Sequence, residues 1–270
     1  QLNNGIVRPC RDRQDFMDAD DALSTWVFGQ PIAIDTETTG LDYHDDVRLV
    51  QFGTTTEAFV FDPHCEDGER LMQLLLNAMV RNKKARWVMH NAPFDSLHLS
   101  KFSRHTVEEI MENVIDTQIL SHLIDSRERI DGGIGHSLKE LCAKYVDANS
   151  PDGQTALKER FKELKLKHAE GFAKIPLWDE TFVRYAGLDV ILTARLLPQL
   201  ELEVKSSFEH LVDFEHQVQR ITTAMTQRGM AVDAHYANGL RADLHFEGEE
   251  AKKVAARFGV ENVNSTTQVA

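Results

Sequence analysis

The sequence contains only three cysteines among 270 residues, Cys10, Cys65 and Cys142. An odd number at scattered positions excludes a disulfide scaffold, gives no metal-ligand pair and fits a reducing compartment. The sequence also lacks any run of about 18 apolar residues, the length that a membrane helix needs. Its first ten residues lack the apolar segment of a secretory signal. We therefore expect no membrane partner and a cytoplasmic location.

Basic residues are fewer than acidic ones: 30 Lys and Arg stand against 43 Asp and Glu, a formal net charge of −13. This charge argues against a protein that coats nucleic acid nonspecifically. It does not exclude an enzyme that binds cations. Hydrophobic residues make up 42% of the chain, which is ample for a core. The length suits one large domain or two small ones.

Short apolar segments and longer periodic ones alternate along the chain. Strand patterns occupy residues 5–9, 31–37, 47–54, 57–63, 85–90 and 230–233. Helical patterns occupy residues 11–27, 68–82, 136–145, 155–167, 181–199, 206–228 and 234–258. The close succession of the second, third and fourth strands indicates a meander. This order predicts an α/β fold, a mixed β-sheet flanked by helices and followed by a helical extension.

Asp35 and Glu37 directly follow the apolar run IAI and stand two residues apart. Alternate residues of a strand point to the same face, so both carboxylates are expected in one small space. Like charges that close raise each other's pKa and destabilise the fold. Such a pair is expected where cations offset the repulsion.

Three further side chains belong with this pair. Asp95 follows strand 85–90 at an expected helix start, and Tyr185 and Asp189 lie four residues apart on one helix face. Four carboxylates from three segments would then converge at one end of the sheet. Carboxylate oxygens are the ligands that Mg²⁺ and Mn²⁺ prefer. Two such ions, ~3.5–4 Å apart, promote displacement at phosphorus, so two divalent cations, Mg²⁺ or Mn²⁺, are the predicted cofactors.

Three segments resemble the motifs of the DEDD superfamily of 3′→5′ exonucleases in order and separation: DTETTG at 35–40, HNAPFD at 90–95 and YAGLD at 185–189. The last motif has Tyr four residues before Asp, as in the tyrosine branch, and Arg184 at the position of the other branch's His. Residues 214–233 are similar to the segment joining the proofreading and polymerase domains of family A DNA polymerases. Residues 132–147 and 175–197 look most like the corresponding segments of polymerases of actinobacterial phages.

The resemblance implies an RNase H-like fold and a role for each acid. Asp35 matches the residue that bridges both metal ions. Glu37 and Asp189 match ligands of the ion that activates water, and Asp95 matches the ligand of the second ion. Tyr185 matches the residue that orients the attacking water. Its alternative is a core tyrosine with a hydrogen-bonded hydroxyl.

Substrate contacts implied by the resemblance are less specific. Leu41 matches an apolar wedge against the terminal bases, and Asn91 and Phe94 match substrate-binding positions. A Leu or Phe near the end of a strand or helix also serves simply as core. Asp116 lies near another recurrent family position and is interpreted as structural support. The basic residues within 158–174 alternate with acids, which favours a solvated face over a DNA contact.

The resemblance also implies a domain organisation. Residues 1–205 would form the exonuclease domain, and residues 206–270 the helical start of a polymerase domain. A capping pair, Ser265 with Gln268, predicts a helix start a few residues before the sequence stops. We therefore expect a truncated chain whose polymerase domain follows in cis. A monomer in the cytoplasm, that of a bacterial host for a phage protein, is expected.

The predicted function is a proofreading 3′→5′ exonuclease that acts on single-stranded or frayed DNA 3′ ends and releases nucleoside 5′-monophosphates. One alternative is a free-standing exoribonuclease of the RNase D kind, which shares the tyrosine motif. Another is an inactive nucleic-acid-binding module, against which the presence of all four acids and the Tyr argues. Parallel assays on DNA and RNA discriminate among the three.

Overall fold

The computed structural model describes residues 5–204 and 208–269. Its strands are β1 Ile6–Pro9, β2 Ile32–Thr38, β3 Val47–Gly53, β4 Glu57–Phe61, β5 Trp87–Met89 and β6 Val114–Asp116. They form one six-stranded sheet in the order β1-β4-β3-β2-β5-β6. β2, β3 and β4 are the antiparallel meander, whereas β1, β5 and β6 each run parallel to their neighbour.

The remaining regular elements of the described residues are mostly helices. They are α1 Arg13–Trp26, α2 Glu66–Arg81, α3 Ala92–Ser100, α4 Val107–Met111, α5 Thr117–Ile124, α6 Leu138–Tyr145, α7 Asp152–Glu163, α8 His168–Lys174, α9 Glu180–Glu203, α10 Glu209–Arg228, α11 Ala234–Ala256 and α12 Thr266–Val269. A mixed sheet flanked by helices confirms the predicted fold class. None of the described helices is long and apolar enough to cross a membrane.

Alternation along β2 separates two parts of the core. Ile32 and Ile34 lie in an apolar cluster with buried residues of α1 and α2, such as Leu23 and Leu75. Ala33, between them, lies in a second cluster with buried residues of α9. Because side chains alternate along a strand, residues 35 and 37 fall on the side of Ala33. The two acids of β2 therefore face the side that α9 covers.

The predicted strand at 230–233 is wrong. In the structure these residues belong to neither a strand nor a helix, and Met230 and Val232 are largely exposed. A strand needs a neighbour for its backbone groups, and none of the described strands pairs with this segment. The helix predicted after it is present as α11.

The chain divides into two compact units, Gln1–Gln227 and Arg228–Ala270. The functional boundary expected between residues 205 and 206 stays a prediction. The second unit carries α11 and α12. Within it Gln268 does not close the expected capping box, because its Oε1 accepts the backbone N–H of Asn262 at 2.8 Å.

Candidate active site

The edge of β2 becomes free just where its acids begin. β5 pairs with β2 only at Ile32 and Ala33, because β5 ends at Met89 and the chain turns into α3. Asn91 caps α3 with the left-handed angles φ 65° and ψ 53°. This turn aims the first turn of α3 at the unpaired edge of β2.

Asp95 binds the unpaired edge of β2. Its Oδ1 accepts the backbone N–H of Thr36 at 2.9 Å and the Thr36 hydroxyl at 2.7 Å. Asp95 is buried and lies in the first turn of α3, where the helix dipole favours an anion. The backbone group that β5 leaves unpaired thus fixes Asp95 beside Asp35 and Glu37.

Helix α9 supplies the other two predicted residues. Asp179 caps its start by accepting the N–H groups of Thr181 and Phe182. Further along, a Cβ on Gly187 would come within 2.5 Å of the Val7 side chain of β1. The absence of that atom lets α9 pack closely on the sheet between Tyr185 and Asp189, which lie one turn apart.

The charges of the acids affect one another's pKa values. Burial, then the charge of Asp189, raises the pKa of Asp35 to about 6, although Gln51 donates a hydrogen bond to it at 2.7 Å. Burial, then Asp35, raises the pKa values of both Glu37 and Asp95 well above the ordinary range. Four carboxylates therefore share one electrostatic site, and their role as metal ligands stays a prediction.

Tyr185 belongs to the same site. The charge of Asp189, followed by burial and the charges of Glu37 and Asp35, raises the pKa of the Tyr185 phenol well above its ordinary value. Its hydroxyl therefore stays protonated across the physiological range and can donate a hydrogen bond. Arg184, at the position of the histidine in the other branch, is exposed.

Besides Thr36, two donors in the site were missing from the sequence prediction. Gln51 pairs with Asp35 across the β2–β3 ladder, so an assumed hairpin register would have found it. Lys139 on α6 forms an ion pair with Asp189 and lies 4.9 Å from the centre of the Tyr185 ring. An acidic site generally needs a counter-ion, and this is the only reason to expect a lysine here. Nothing in the sequence singles out Lys139.

The predicted substrate contacts lie next to the acids in the sequence. Leu41, after β2, is 89% exposed, so it is not a core residue. Asn91 is exposed and Phe94 partly buried, with the Phe94 ring centre 4.6 Å from that of His98. All three have surface available for a ligand, and their role as substrate contacts stays a prediction.

The basic helix region contributes no described contact to the acids. Arg160 is bound to Glu163 and to the α9 cap Asp179 at 2.8 Å each, and Lys174 pairs with Glu170. The interpretation of these basic residues as a solvated face stays a prediction.

The donor set fits divalent cations by its chemistry. It offers carboxylate oxygens whose mutual repulsion a cation relieves, and Asp35, Glu37 and Asp189 interact electrostatically. Among the described residues, no three acidic, histidine or cysteine side chains already surround one point as metal ligands do. Three of the carboxylates already have a partner, since Asp35 binds Gln51, Asp95 binds Thr36 and Asp189 binds Lys139.

Known proteins share this architecture. Residues 8–205 match the family described as 3′-5′ exonuclease. The DNA polymerase of Mycobacterium phage L5 is 35% identical over 244 residues, which are 88% of this chain and 40% of that protein. The chain thus spans less than half the length of this relative.

Solved structures resemble the chain in fold at low identity. RNase D of Trypanosoma brucei in complex with GMP has 18% identity and a TM-score of 0.58, over 83% of this chain and 65% of that one. Brucella melitensis NrnC with bound Mg²⁺ has 17% identity and a TM-score of 0.52, over 86% and 98%. These likenesses confirm the RNase H-like fold.

Since the family match runs through every motif that carries an acid of the site, the chain belongs to the 3′-5′ exonuclease domains of DNA polymerases.

Proposed function

We propose that this chain removes nucleotides one at a time from DNA 3′ ends by metal-assisted hydrolysis, releasing nucleoside 5′-monophosphates. The observation that carries the proposal is the convergence of Asp35, Glu37, Asp95 and Asp189 beside Tyr185. Two divalent ions, Mg²⁺ or Mn²⁺, would supply an activated water at neutral pH and stabilise the leaving oxygen. The Mg²⁺ bound in the NrnC structure supports this choice of ion.

Each of these five residues has a role in the proposed reaction. Asp35 would help to hold both ions. Glu37 and Asp189 would hold the ion that activates water, and Asp95 would hold the second ion. The protonated phenol of Tyr185 would orient the attacking water, which holds it in line with the scissile bond. Thr36 would keep Asp95 in place through its two hydrogen bonds.

The biological role proposed is proofreading. The similarity to a phage DNA polymerase supports a polymerase domain in cis, and the substrate would be a single-stranded or frayed DNA 3′ end. Leu41, Asn91 and Phe94 would contact the terminal nucleotides. The protein would act as a monomer in the cytoplasm of a bacterial host.

A second candidate is an exoribonuclease. The similarity of fold to RNase D favours it, because the acidic site suits hydrolysis of either sugar backbone. The phage polymerase relative, at about twice the sequence identity, favours DNA.

The deciding experiment compares matched DNA and RNA oligonucleotides carrying a 5′ label. Each is incubated with Mg²⁺, with Mn²⁺ or with EDTA. We expect stepwise shortening from the 3′ end of DNA with either metal and none with EDTA. Faster shortening of RNA would select the second candidate, and intact substrate under all conditions would indicate a binding module. Loss from the 5′ end would contradict the proposal.

Strand state should alter the rate of the proposed enzyme. A 3′ terminus must be unpaired before it can enter the site, and unpairing costs least at a mismatch. Stacking on an aromatic side chain such as that of Phe94 then holds unpaired bases. We expect mismatched duplex ends to be cut several times faster than matched ends, and single strands faster still. Equal rates in a single-turnover assay would count against proofreading.

Tyr185→Phe should slow cleavage without weakening metal binding. The change removes the hydroxyl that would position water but leaves every carboxylate in place. Loss of such alignment is expected to lower the single-turnover rate about tenfold to a hundredfold. Calorimetric Mn²⁺ titration of the same variant should match wild type, whereas Asp189→Ala should bind Mn²⁺ more weakly. An unchanged rate for Tyr185→Phe would assign the tyrosine to packing alone.

A further inference from the structure

Lys139 brings a positive charge into the acidic site. Its ammonium forms an ion pair with Asp189 Oδ1 and lies 4.9 Å from the centre of the Tyr185 ring. Both charged side chains are largely buried, with 12% of Lys139 and 10% of Asp189 exposed. An ion pair this sheltered from water is screened far less than a surface pair. Its influence should therefore extend across the site.

The packing of α6 holds Lys139 at this position. Ser137 and Glu140 close a capping box at the start of the helix. Leu141 and Cys142, directly after, are buried in the cluster that includes α9, and the Cys142 thiol contacts the Leu192 carbonyl at 3.7 Å. Lys139 is thus presented by a helix turn anchored at both ends.

The charge of Lys139 also reaches the acids of β2. It acts to lower the pKa values of Asp35 and Glu37, against the larger effects of burial and neighbouring carboxylates. The ammonium therefore offsets part of the repulsion that the four acids create. A divalent cation would offset the same repulsion, and both would use the carboxylate of Asp189.

We propose that Lys139 is a built-in counter-ion that competes with divalent cations for Asp189 and thereby sets the affinity of the site for them. This inference rests on the proposed metal-dependent function. Lys139 acts through Asp189, so it is a positioning residue. A cation that binds Asp189 must displace the Lys139 ammonium or bind against its repulsion. Until a cation binds, Lys139 keeps the Asp189 carboxylate paired.

The test is calorimetric titration of Mn²⁺ into wild type and Lys139→Gln. Removing one positive charge at contact distance from a ligand should tighten Mn²⁺ binding about tenfold or more. Lys139→Arg keeps the charge and should bind with affinity close to wild type. Lys144→Gln is the matched control, because this lysine lies on the same helix and contacts the Tyr145 side chain.

Thermal unfolding gives a second measurement that does not depend on activity. In EDTA, Lys139→Gln should melt at a lower temperature than wild type, because a buried carboxylate loses its partner. Saturating Mn²⁺ should raise the melting temperature of this variant more than that of wild type. If the lysine were purely structural, Lys139→Gln would lower the melting temperature by the same amount in EDTA and in saturating Mn²⁺.

The outcomes separate the two proposals. Tighter Mn²⁺ binding by Lys139→Gln together with unchanged binding by Lys144→Gln supports the counter-ion role. Equal or weaker binding by Lys139→Gln than by wild type overturns that role and leaves the proposed function standing. Absence of Mn²⁺ binding in wild type overturns the metal-dependent function itself.

Discussion

Asp35→Ala is expected to lower the rate of 3′-end hydrolysis about a thousandfold or more. Asp35, like Glu37, interacts with all three other acids of the site, and it is the one proposed to contact both ions. Losing a group worth about 4 kcal/mol of transition-state stabilisation corresponds to three orders of magnitude in rate. Single-turnover cleavage of 5′-labelled single-stranded DNA with Mg²⁺ measures the effect.

The same substitution should not unfold the protein. The pKa of Asp35 is raised to about 6, so the folded chain holds this proton at pH values where the unfolded chain has lost it. Ionisation of Asp35 therefore costs stability as the pH rises from about 4 through about 6, and that cost persists at neutral pH. In EDTA at pH 7 we expect Asp35→Ala to be as stable as wild type or more stable.

A matched control excludes general damage. Asp18 is an exposed acid on α1, and Asp18→Ala should retain wild-type cleavage. Near wild-type cleavage by Asp35→Ala would show that the acidic site is not the nuclease site. A large loss of stability in that variant would mean that the buried carboxylate supports the fold.

Local pattern accounts for the parts of this site that could be predicted. Asp35 and Glu37 share a face because a strand alternates, and Tyr185 and Asp189 share one because a helix turns in four residues. Their convergence with Asp95 follows from parallel β2 and β5, whose carboxyl ends meet at one edge. The first two relations depend on spacing that can be counted in the sequence, whereas the parallel pairing of β2 with β5 is known only from the structure.

The partners of the acids depend on relations that cannot be counted. Gln51 reaches Asp35 through the register of a hairpin, and Lys139 reaches Asp189 from a position 50 residues earlier in the chain. Thr36 binds Asp95 because β5 ends early and leaves a backbone group unpaired. The strand expected at 230–233 failed for a related reason, since apolar residues predict a strand only where a neighbouring edge exists.

Asp116 offers the largest expected effect on stability. It is fully buried at the end of β6. Its carboxylate accepts the N–H groups of Asn91 at 3.0 Å, Ala92 at 2.8 Å and Gln118 at 2.8 Å, and the side-chain amide of Gln219 at 2.7 Å. One side chain thus joins the starts of α3 and α5 to α10, in keeping with its interpretation as structural support.

Asp116→Ala is expected to lower the free energy of unfolding by about 3–5 kcal/mol. It leaves several buried donors without an acceptor, and each such donor costs about 1–3 kcal/mol before the surroundings relax. Asp116→Asn keeps the shape and one acceptor, so its loss should be smaller, about 1–2 kcal/mol. Urea unfolding of the three proteins in EDTA measures the difference.

Activity should fall with stability in this case, because the Asn91–Ala92 turn that Asp116 holds also places Asp95 four residues after Asn91. Asp125→Ala is the control: this acid ends the same helix, α5, pairs with the exposed Arg127 and should leave both unfolding and cleavage close to wild type. If Asp116→Ala unfolds within 1 kcal/mol of wild type, roughly the value of a single hydrogen bond, its four contacts are not what holds α3 against β2. Asp95 would then owe its position to the two hydrogen bonds from Thr36 alone.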